Sequence, residues 1–366
     1  MAFVKKFGIL KATEMALDYH AEHPNLPFLY DAEQLAGFLG ISRGELNDIV
    51  NHIQKEYKEA HLPKKDGTYR SLCVPSIRLR FCQDPIKEKI LPQLPVSKFA
   101  TAYQKGSTTR GNAEPHIGKK FLLKLDITDF FGSITFEQVQ RTAFNTRYVS
   151  RQVGYLLTSL CCKDDSLPQG AATSPALSNI VMYRFDDYIG RWCSQRQIAY
   201  TRYCDDMTFS ANRPLYGVYQ KVKTMLREMG FELNESKTHF IGNDNRQSVT
   251  GLVVNEKLSI PSGYKRDLRQ EVYYALKFGV EDSVLHGHRS DFVEDGRPIC
   301  CPTYMLHLMG KVQYVLQIEP ENLWFKDAQK KLLAYIYEHY SESLSYYLHF
   351  NKNGKGKGMH EQSNPV

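Results

Sequence analysis

Three aspartates are the residues of this chain best placed to do chemistry. Asp205 and Asp206 are adjacent, in Tyr203-Cys204-Asp205-Asp206, between Tyr200-Thr201-Arg202 and Met207-Thr208-Phe209-Ser210. Neighbouring carboxylates repel each other, and these interrupt a β-prone aromatic and β-branched run, not a solvated acidic patch, so a cation belongs beside them. A β-hairpin with the pair at or near its turn lets both side chains reach one divalent-metal site. Asp126 ends an apolar, strand-like run, Phe121-Leu122-Leu123-Lys124-Leu125, and precedes Ile127-Thr128-Asp129-Phe130-Phe131. Convergence of Asp126, Asp205 and Asp206 suits two Mg²⁺ ions about 3.5–4 Å apart, activating an attacking hydroxyl and stabilising the leaving oxygen of an in-line phosphoryl transfer. An acidic pair alone is weak evidence; Asp164-Asp165, in a loop, and Asp186-Asp187, on a helix, read as solvated faces.

The elements that must position these groups are legible around them. Ser166-Leu167-Pro168-Gln169-Gly170-Ala171-Ala172-Thr173-Ser174-Pro175 is a glycine-containing loop ending in a helix start, with Ser174 as N-cap and Pro175 as first helical residue. Leu177, Val181, Phe185, Ile189 and Trp192 follow at helical spacing and predict a core-facing stripe. The loop can approach a nucleotide closely, with Gln169 as a neutral hydrogen-bonding probe of base or sugar. Lys64-Lys65-Asp66-Gly67-Thr68-Tyr69-Arg70-Ser71-Leu72-Cys73-Val74-Pro75 predicts a hairpin turning at Asp66-Gly67 with cations on both arms.

The 366 residues suffice for a large core and two or three subdomains. The formal charge of +7, from 47 basic and 40 acidic residues, is modest, so positive charge must be concentrated in patches: Lys64 to Arg80, Tyr264-Lys265-Arg266…Arg269, and the late lysine-rich segment. No apolar run has the length of a bilayer span and Met1 to Leu10 lack a secretory signal pattern, which predicts a cytoplasmic protein without membrane contact. None of the eight cysteines is spaced as Cys-x-x-Cys, which argues against zinc and for reduced, partly buried thiols.

Residues 1–60 read as a helical N-terminal segment whose buried stripe is Leu35, Phe38, Leu39, Leu46, Ile49 and Val50. Ala36 to Leu46 resembles a helix-turn-helix, for which a structural or RNA-contacting role is favoured over duplex reading. Tyr264–Phe278 and Tyr304–Ile318 are helical in period, the latter with an apolar face of Leu306, Met309, Val312, Val315 and Leu316; 280–302 reads as a polar loop, and 351–366 as a disordered basic tail.

Taken in order, the Asp126 segment, Leu-Pro-Gln-Gly…Ser-Pro and Tyr-Cys-Asp-Asp resemble the palm motifs of reverse transcriptases. Leu233-Asn234-Glu235-Ser236-Lys237-Thr238 resembles the lysine-bearing fourth motif, and Gly251 to Ile260 the primer-grip hairpin. Asn112-Ala113-Glu114-Pro115-His116 and Val249-Thr250-Gly251 are similar to signatures of bacterial retron reverse transcriptases, and Gly310 to Pro320 resembles their thumb. The fold so implied is α+β, a right-hand polymerase: helical segment 1–60, fingers 61–120, palm 121–260 with interleaved fingers helices, thumb 261–350, tail 351–366.

The resemblance further implies that Lys65 and Arg70 clamp the triphosphate of an incoming dNTP, that Lys237 protonates the leaving pyrophosphate, and that Phe131 blocks a ribose 2′-OH; Phe130 is the rival for that gate. It implies that Val249, Thr250 and Gly251, with Lys265, Arg266 and Arg269 beyond them, recognise a cognate structured noncoding RNA (msr–msd). That RNA is reverse-transcribed, with self-priming from a 2′-OH, to a branched RNA–DNA hybrid, msDNA, in antiphage defence beside an effector protein. Two rivals stand: another bacterial reverse transcriptase, of abortive-infection, diversity-generating or group II intron lineage, and a catalytically idle RNA-binding scaffold.

Overall fold

The computed structural model describes residues 23–63, 67–145, 147–287, 292–294, 297–298 and 301–352. The chain forms two compact units, Met1–Thr108 with Lys120–Gly242 and Thr109–Lys119 with Asn243–Val366.

In the first unit, α1 (Ala32–Leu39) and α2 (Arg43–Asn51) are joined at Gly40, which takes φ 75° as the left-handed C-cap. Ser42 and Glu45 form a reciprocal capping box at the start of α2. Leu35, Leu39, Leu46 and Ile49 are buried as their spacing predicts, with Phe38 and Val50 packed at the margin. The expected helical segment ends sooner than 60, because Tyr57–Pro63 is strand β1, antiparallel to β2 (Tyr69–Pro75) with Leu62 opposite Arg70. Its partner arm is therefore a mixed polar run upstream of the lysines. Helix α3 (Ile77–Pro85) follows.

The centre of this unit is a four-stranded antiparallel sheet in the order β4-β5-β3-β6, made of β3 (Phe121–Asp126), β4 (Ala199–Tyr203), β5 (Asp206–Ala211) and β6 (His239–Gly242). Leu122, Leu123 and Leu125 of the interior strand β3 are all buried, as expected for a strand covered on both faces. The unit also contains α4 (Phe136–Thr142), α5 (Arg151–Cys161), α6 (Ser174–Ser194) and α7 (Tyr216–Glu228). The predicted stripe of α6 is buried from Leu177 through Ile189, with Trp192 at its edge. Ser174 departs from its expected role: Thr173 occupies the cap, while Ser174 is the first helical residue and its Oγ donates to the Pro168 carbonyl at 2.7 Å. The serine thus ties the loop back onto the helix it enters.

The second unit holds the small hairpin β7 (Ser248–Val249) and β8 (Leu252–Val253), then α8 (Ser262–Phe278), α9 (Val280–His286), α10 (Cys301–Ile318) and α11 (Leu323–Lys352). Helix α9 corrects the expectation of a loop over 280–302: Val280 and Val284 are four apart and both buried, an anchor hidden in a polar segment. In α10 the buried face is Met305, Leu308, Met309, Val312 and Val315, so Leu306 and Leu316 lie at its margin instead of its centre. Helix α11 breaks at Tyr340 (φ −136°, ψ 22°) and runs through Asn351 and Lys352; the rest of the expected tail, and residues 1–22, lie outside the described residues. No described helix is long and apolar enough to cross a membrane. The described cysteines are free thiols.

Candidate active site

Strand pairing assembles the acidic end of the sheet. β3 and β5 run antiparallel with Asp126 directly opposite Asp206, and Tyr203 pairs with Asp206 across the β4–β5 hairpin, leaving Cys204-Asp205 as a two-residue loop. The Ile127 N–H donates to the Asp205 carbonyl at 3.3 Å, which fastens the loop to the end of β3. Cys204 takes φ 62°. That is the conformation a type II′ hairpin turn gives to glycine, so a cysteine there is strained by about 1–3 kcal/mol. The Tyr103 hydroxyl donates to Cys204 Sγ at 3.1 Å, and burial pushes the thiol's pKa up to about 12.

The carboxylates are crowded. Burial, then the Asp205 charge, pushes the pKa of Asp206 up to about 6. Asp126 is also raised: burial outweighs the opposing Lys237 ammonium, whose Nζ lies 3.0 Å from Asp126 Oδ2. Lys237 belongs to a single 3₁₀ turn positioned by the Asn234 N–H, which donates to the Asp126 carbonyl at 2.8 Å. Among the described residues no group of three or more His, Cys, Asp or Glu stands in metal-holding geometry. The donor chemistry nevertheless fits a hard divalent cation, being all oxygen, and burial holds two of the carboxyls above the usual carboxylate range.

A buried polar cluster behind the loop escaped the sequence reading. Asp186 is fully buried, not a solvated face. It accepts from Arg202 Nη2 at 2.6 Å and Nε at 2.9 Å, and from the Tyr200 hydroxyl at 2.7 Å. Arg202, also fully buried, donates through Nη1 to the Cys204 carbonyl at 2.7 Å and through Nη2 to Asn179 Oδ1 at 3.1 Å. The signal was present: Met182, Asp186, Ile189 and Cys193 form a stripe at helical spacing, and Tyr200 and Arg202 share one strand face.

The nucleotide candidates distribute around this end. Phe130 is buried against Phe231 and under the Arg202 guanidinium, whereas Phe131 is only half-buried. The Gln169 carbonyl accepts from Cys73 N–H of β2 at 2.7 Å, and Gly170 at φ 123° lies so close that an added Cβ would sit 2.8 Å from the Cys73 carbonyl oxygen. Only glycine permits this docking of the loop on the basic hairpin. Gln169 itself is half-buried and Arg70 is exposed on β2; Lys65 lies outside the described residues.

In the second unit the two signature strings meet. Asn112 Nδ2 donates to Thr250 Oγ1 at 3.3 Å, Thr250 Oγ1 donates to the Thr109 carbonyl at 3.2 Å, and Gly118 N–H donates to the Val254 carbonyl at 2.9 Å. Val249 is core, and the exposed Gly251 completes the β7–β8 turn. His116 is fully buried, which pushes its pKa down to about 3, with Lys119 adding to the effect. The three candidate RNA-contacting cations of α8 differ. Lys265 is paired with Glu319 at 2.6 Å, and Arg269 lies over the Trp324 and Phe325 rings at 5.6 and 5.4 Å. Arg266 is 81% exposed.

Comparison with known proteins shows the family to which this chain belongs. Residues 62–254 match the family model described as reverse transcriptase (RNA-dependent DNA polymerase), a family that works with divalent metal ions. The retron Mx65 reverse transcriptase of Myxococcus xanthus is 31% identical over 320 residues, covering 81% of this chain and 70% of that one. The retron Ec86 reverse transcriptase of Escherichia coli is 28% identical over 270 residues, covering 72% and 84%. Among solved structures, telomerase from Candida albicans in complex with a fragment of telomeric RNA shares 12% identity at a TM-score of 0.45, covering 82% of this chain and 67% of that one. The chain belongs to the bacterial retron reverse transcriptases and is an RNA-directed DNA polymerase with an α+β polymerase fold.

Proposed function

We propose that this polymerase copies a cognate structured noncoding RNA (msr–msd) into a branched RNA–DNA hybrid, msDNA, and that Asp126, Asp205 and Asp206 are its metal-binding catalytic residues. The observation that carries the assignment is the register of the sheet, which sets Asp126 opposite Asp206 beside the Asp205 turn. Two Mg²⁺ ions bound there would supply activation of the attacking hydroxyl and neutralisation of the leaving oxygen. Burial raises the carboxyl pKa values of Asp126 and Asp206, with the Asp205 charge adding to both, which supports a cation beside them.

The chain's own residues do the remaining work. Lys237, at 3.0 Å from Asp126, neutralises that carboxylate in the free protein and is released toward the triphosphate once the carboxylate is otherwise engaged. Its Nζ then carries the proton that pyrophosphate takes up on leaving. Lys65, together with Arg70 on β2, neutralises the dNTP phosphates, and Gln169 bonds the nucleotide from a loop docked on that strand. Phe131, the ring left half-buried while Phe130 fills the core, blocks the ribose 2′ position. In hand terms, the β1–β2 hairpin is the fingers, the four-stranded sheet the palm and α8 to α11 the thumb. Thr250 and Gly251, with Arg266, contact the RNA. We further propose a role in antiphage defence beside an effector protein, which the family resemblance implies.

Asp205→Asn tests the catalytic assignment, because it removes charge while keeping volume. Metal-dependent primer extension should fall at least a thousandfold, about 4 kcal/mol of transition-state stabilisation, with RNA binding and melting temperature retained. Extension near the wild-type rate would overturn it.

A further inference from the structure

Arg202 and Asp186 lie outside the acidic site, yet the fully buried guanidinium reaches the strained loop that carries Asp205. We propose that Arg202 is a positioning residue for catalysis, clamping the Cys204 carbonyl from inside the protein so that the Cys204-Asp205 turn keeps the geometry its backbone would otherwise relax. The inference rests on the catalytic reading of Asp205 and Asp206.

Three observations carry it. The loop conformation is costly for a residue with a side chain, so something must hold it, and Cys204 has φ 62°. The holder is directional: Nη1 donates to the Cys204 carbonyl at 2.7 Å, while Nε and Nη2 are occupied by Asp186 and Asn179. The holder is itself fixed, because its strand is locked on the other edge as well. Arg202 N–H donates to the Phe99 carbonyl at 2.8 Å, and the Arg202 carbonyl accepts from Thr101 N–H at 2.7 Å and Thr101 Oγ1 at 3.0 Å. Asn179 ties the same neighbouring segment to α6 by donating to the Ala102 carbonyl at 2.8 Å. A planar fork with five donors is needed to serve a carboxylate, an amide oxygen and a main-chain carbonyl together. Lysine, with one ammonium, cannot.

Three variants and two readouts separate positioning from mere stability. Arg202→Lys keeps the buried charge opposite Asp186 but gives up the fork. The double replacement Arg202→Met with Asp186→Leu removes both charges, an exchange that commonly preserves stability. Asn179→Ala removes its bonds to Arg202 and to the Ala102 carbonyl and leaves the ion pair. Expected for the first two is a fall in kcat of about 100-fold, the size of effect a displacement near 1 Å produces, with KM for the dNTP changed less than about threefold. Asn179→Ala should lose about tenfold. Amide hydrogen exchange in a peptide spanning 203–207 should quicken in all three, with exchange in β3 and α7 unchanged. A double variant that melts like wild type and polymerises like it makes the cluster purely structural and overturns the proposal. So does unchanged exchange at 203–207 in Asn179→Ala, the variant that folds most readily. Asp205→Asn run in parallel keeps the two readings apart: if it polymerises normally the acidic site is misassigned, whereas the exchange result reports on the clamp regardless.

Discussion

The Cys204-Asp205 loop between β4 and β5 and the Thr250-Gly251 loop between β7 and β8 are both two-residue hairpin connections that put a residue with a side chain at positive φ, 62° at Cys204 and 45° at Thr250. Neither sequence is what its turn prefers. The first has the φ signs of a type II′ turn without its glycine; the second has those of a type I′ turn, with Gly251 at 79°, but a β-branched threonine where Asn, Asp or Gly is usual. Each is held by a buried side chain: Arg202 grips the Cys204 carbonyl, and Asn112 bonds the Thr250 hydroxyl. The difference is charge. A loop bearing carboxylates is gripped through its main chain by a guanidinium matched to a buried aspartate, whereas the turn in the second unit is held by a neutral amide through a side chain. The first arrangement fixes a peptide plane for chemistry; the second fixes the shape of a turn that faces solvent through Gly251.

Breaking the buried ion pair should therefore cost more than breaking the amide contact. Asp186→Asn leaves the Arg202 cation without its counter-charge in a fully buried setting, and the expected loss is about 3–5 kcal/mol. Asn112→Ala removes neutral contacts, the bond to Thr250 Oγ1 among them, and leaves the Thr250 hydroxyl to the Thr109 carbonyl, for about 1–3 kcal/mol. Urea unfolding of the two full-length variants compares them directly. Equal losses would erase the distinction between a charged and a neutral holder.

That comparison also explains what was legible beforehand. The aspartates could be read because a strand of apolar residues ending in Asp and a carboxylate pair inside a β-prone run are local patterns, and antiparallel register does the rest. The stripes of α1, α2 and α6 were readable for the same reason. Asp186 misled because its neighbour Asp187 is partly exposed and paired with Arg191, so the local pattern is that of a solvated face. Its true partner lies sixteen residues on, in a different element. Helix α9 was hidden because its two buried valines are a small minority in a polar segment.

The burial of a neutral imidazole in the second unit can be tested by acid. His116 is fully buried and its pKa lies near 3, against about 6.5 for an unfolded histidine. Below 6.5 the unfolded chain binds a proton that the folded unit refuses, so stability falls as pH drops from 6.5 toward 3. At pH 5 the expected loss from this ring is about 2 kcal/mol, 1.5 pH units at 1.36 kcal/mol each. His116→Gln should flatten that limb of the melting temperature against pH while leaving the neutral plateau in place. A limb of undiminished slope in the variant would show that another group drives the acid loss.

Phe131→Ala sharpens the functional side of the contrast, since it lies in the unit that does chemistry. Opening space beside the 2′ carbon should raise ribonucleotide over deoxyribonucleotide incorporation about tenfold, or 1.4 kcal/mol, with RNA affinity unaltered. The half-exposed ring is the one able to act this way, because Phe130 is fixed between Phe231 and Arg202. An unchanged ratio on one template would return Phe131 to a packing role.

The smallest effect separates the cations of α8, which the sequence presents as one patch. Arg266 is largely exposed and paired with the exposed Asp267 at 3.5 Å, a weak surface contact that phosphate can replace, so Arg266→Ala should weaken cognate RNA binding several-fold and reduce the slope of log affinity against log salt by about one. Lys265 works inward. Burial alone would raise the Glu319 carboxyl, yet it is held below its usual range by bonds from Lys265, Asn322 and the Ile260 N–H. Lys265→Ala should therefore lower the melting temperature of the second unit and leave the salt slope where it was. Arg269, stacked over Trp324 and Phe325, should behave as Lys265 does. Self-primed synthesis on the cognate RNA should suffer from Arg266→Ala more than extension of a supplied primer, because only the former depends on recognising that RNA. If Lys265→Ala reduces the salt slope as Arg266→Ala does, then its ion pair with Glu319 opens when RNA arrives, and the inward assignment fails.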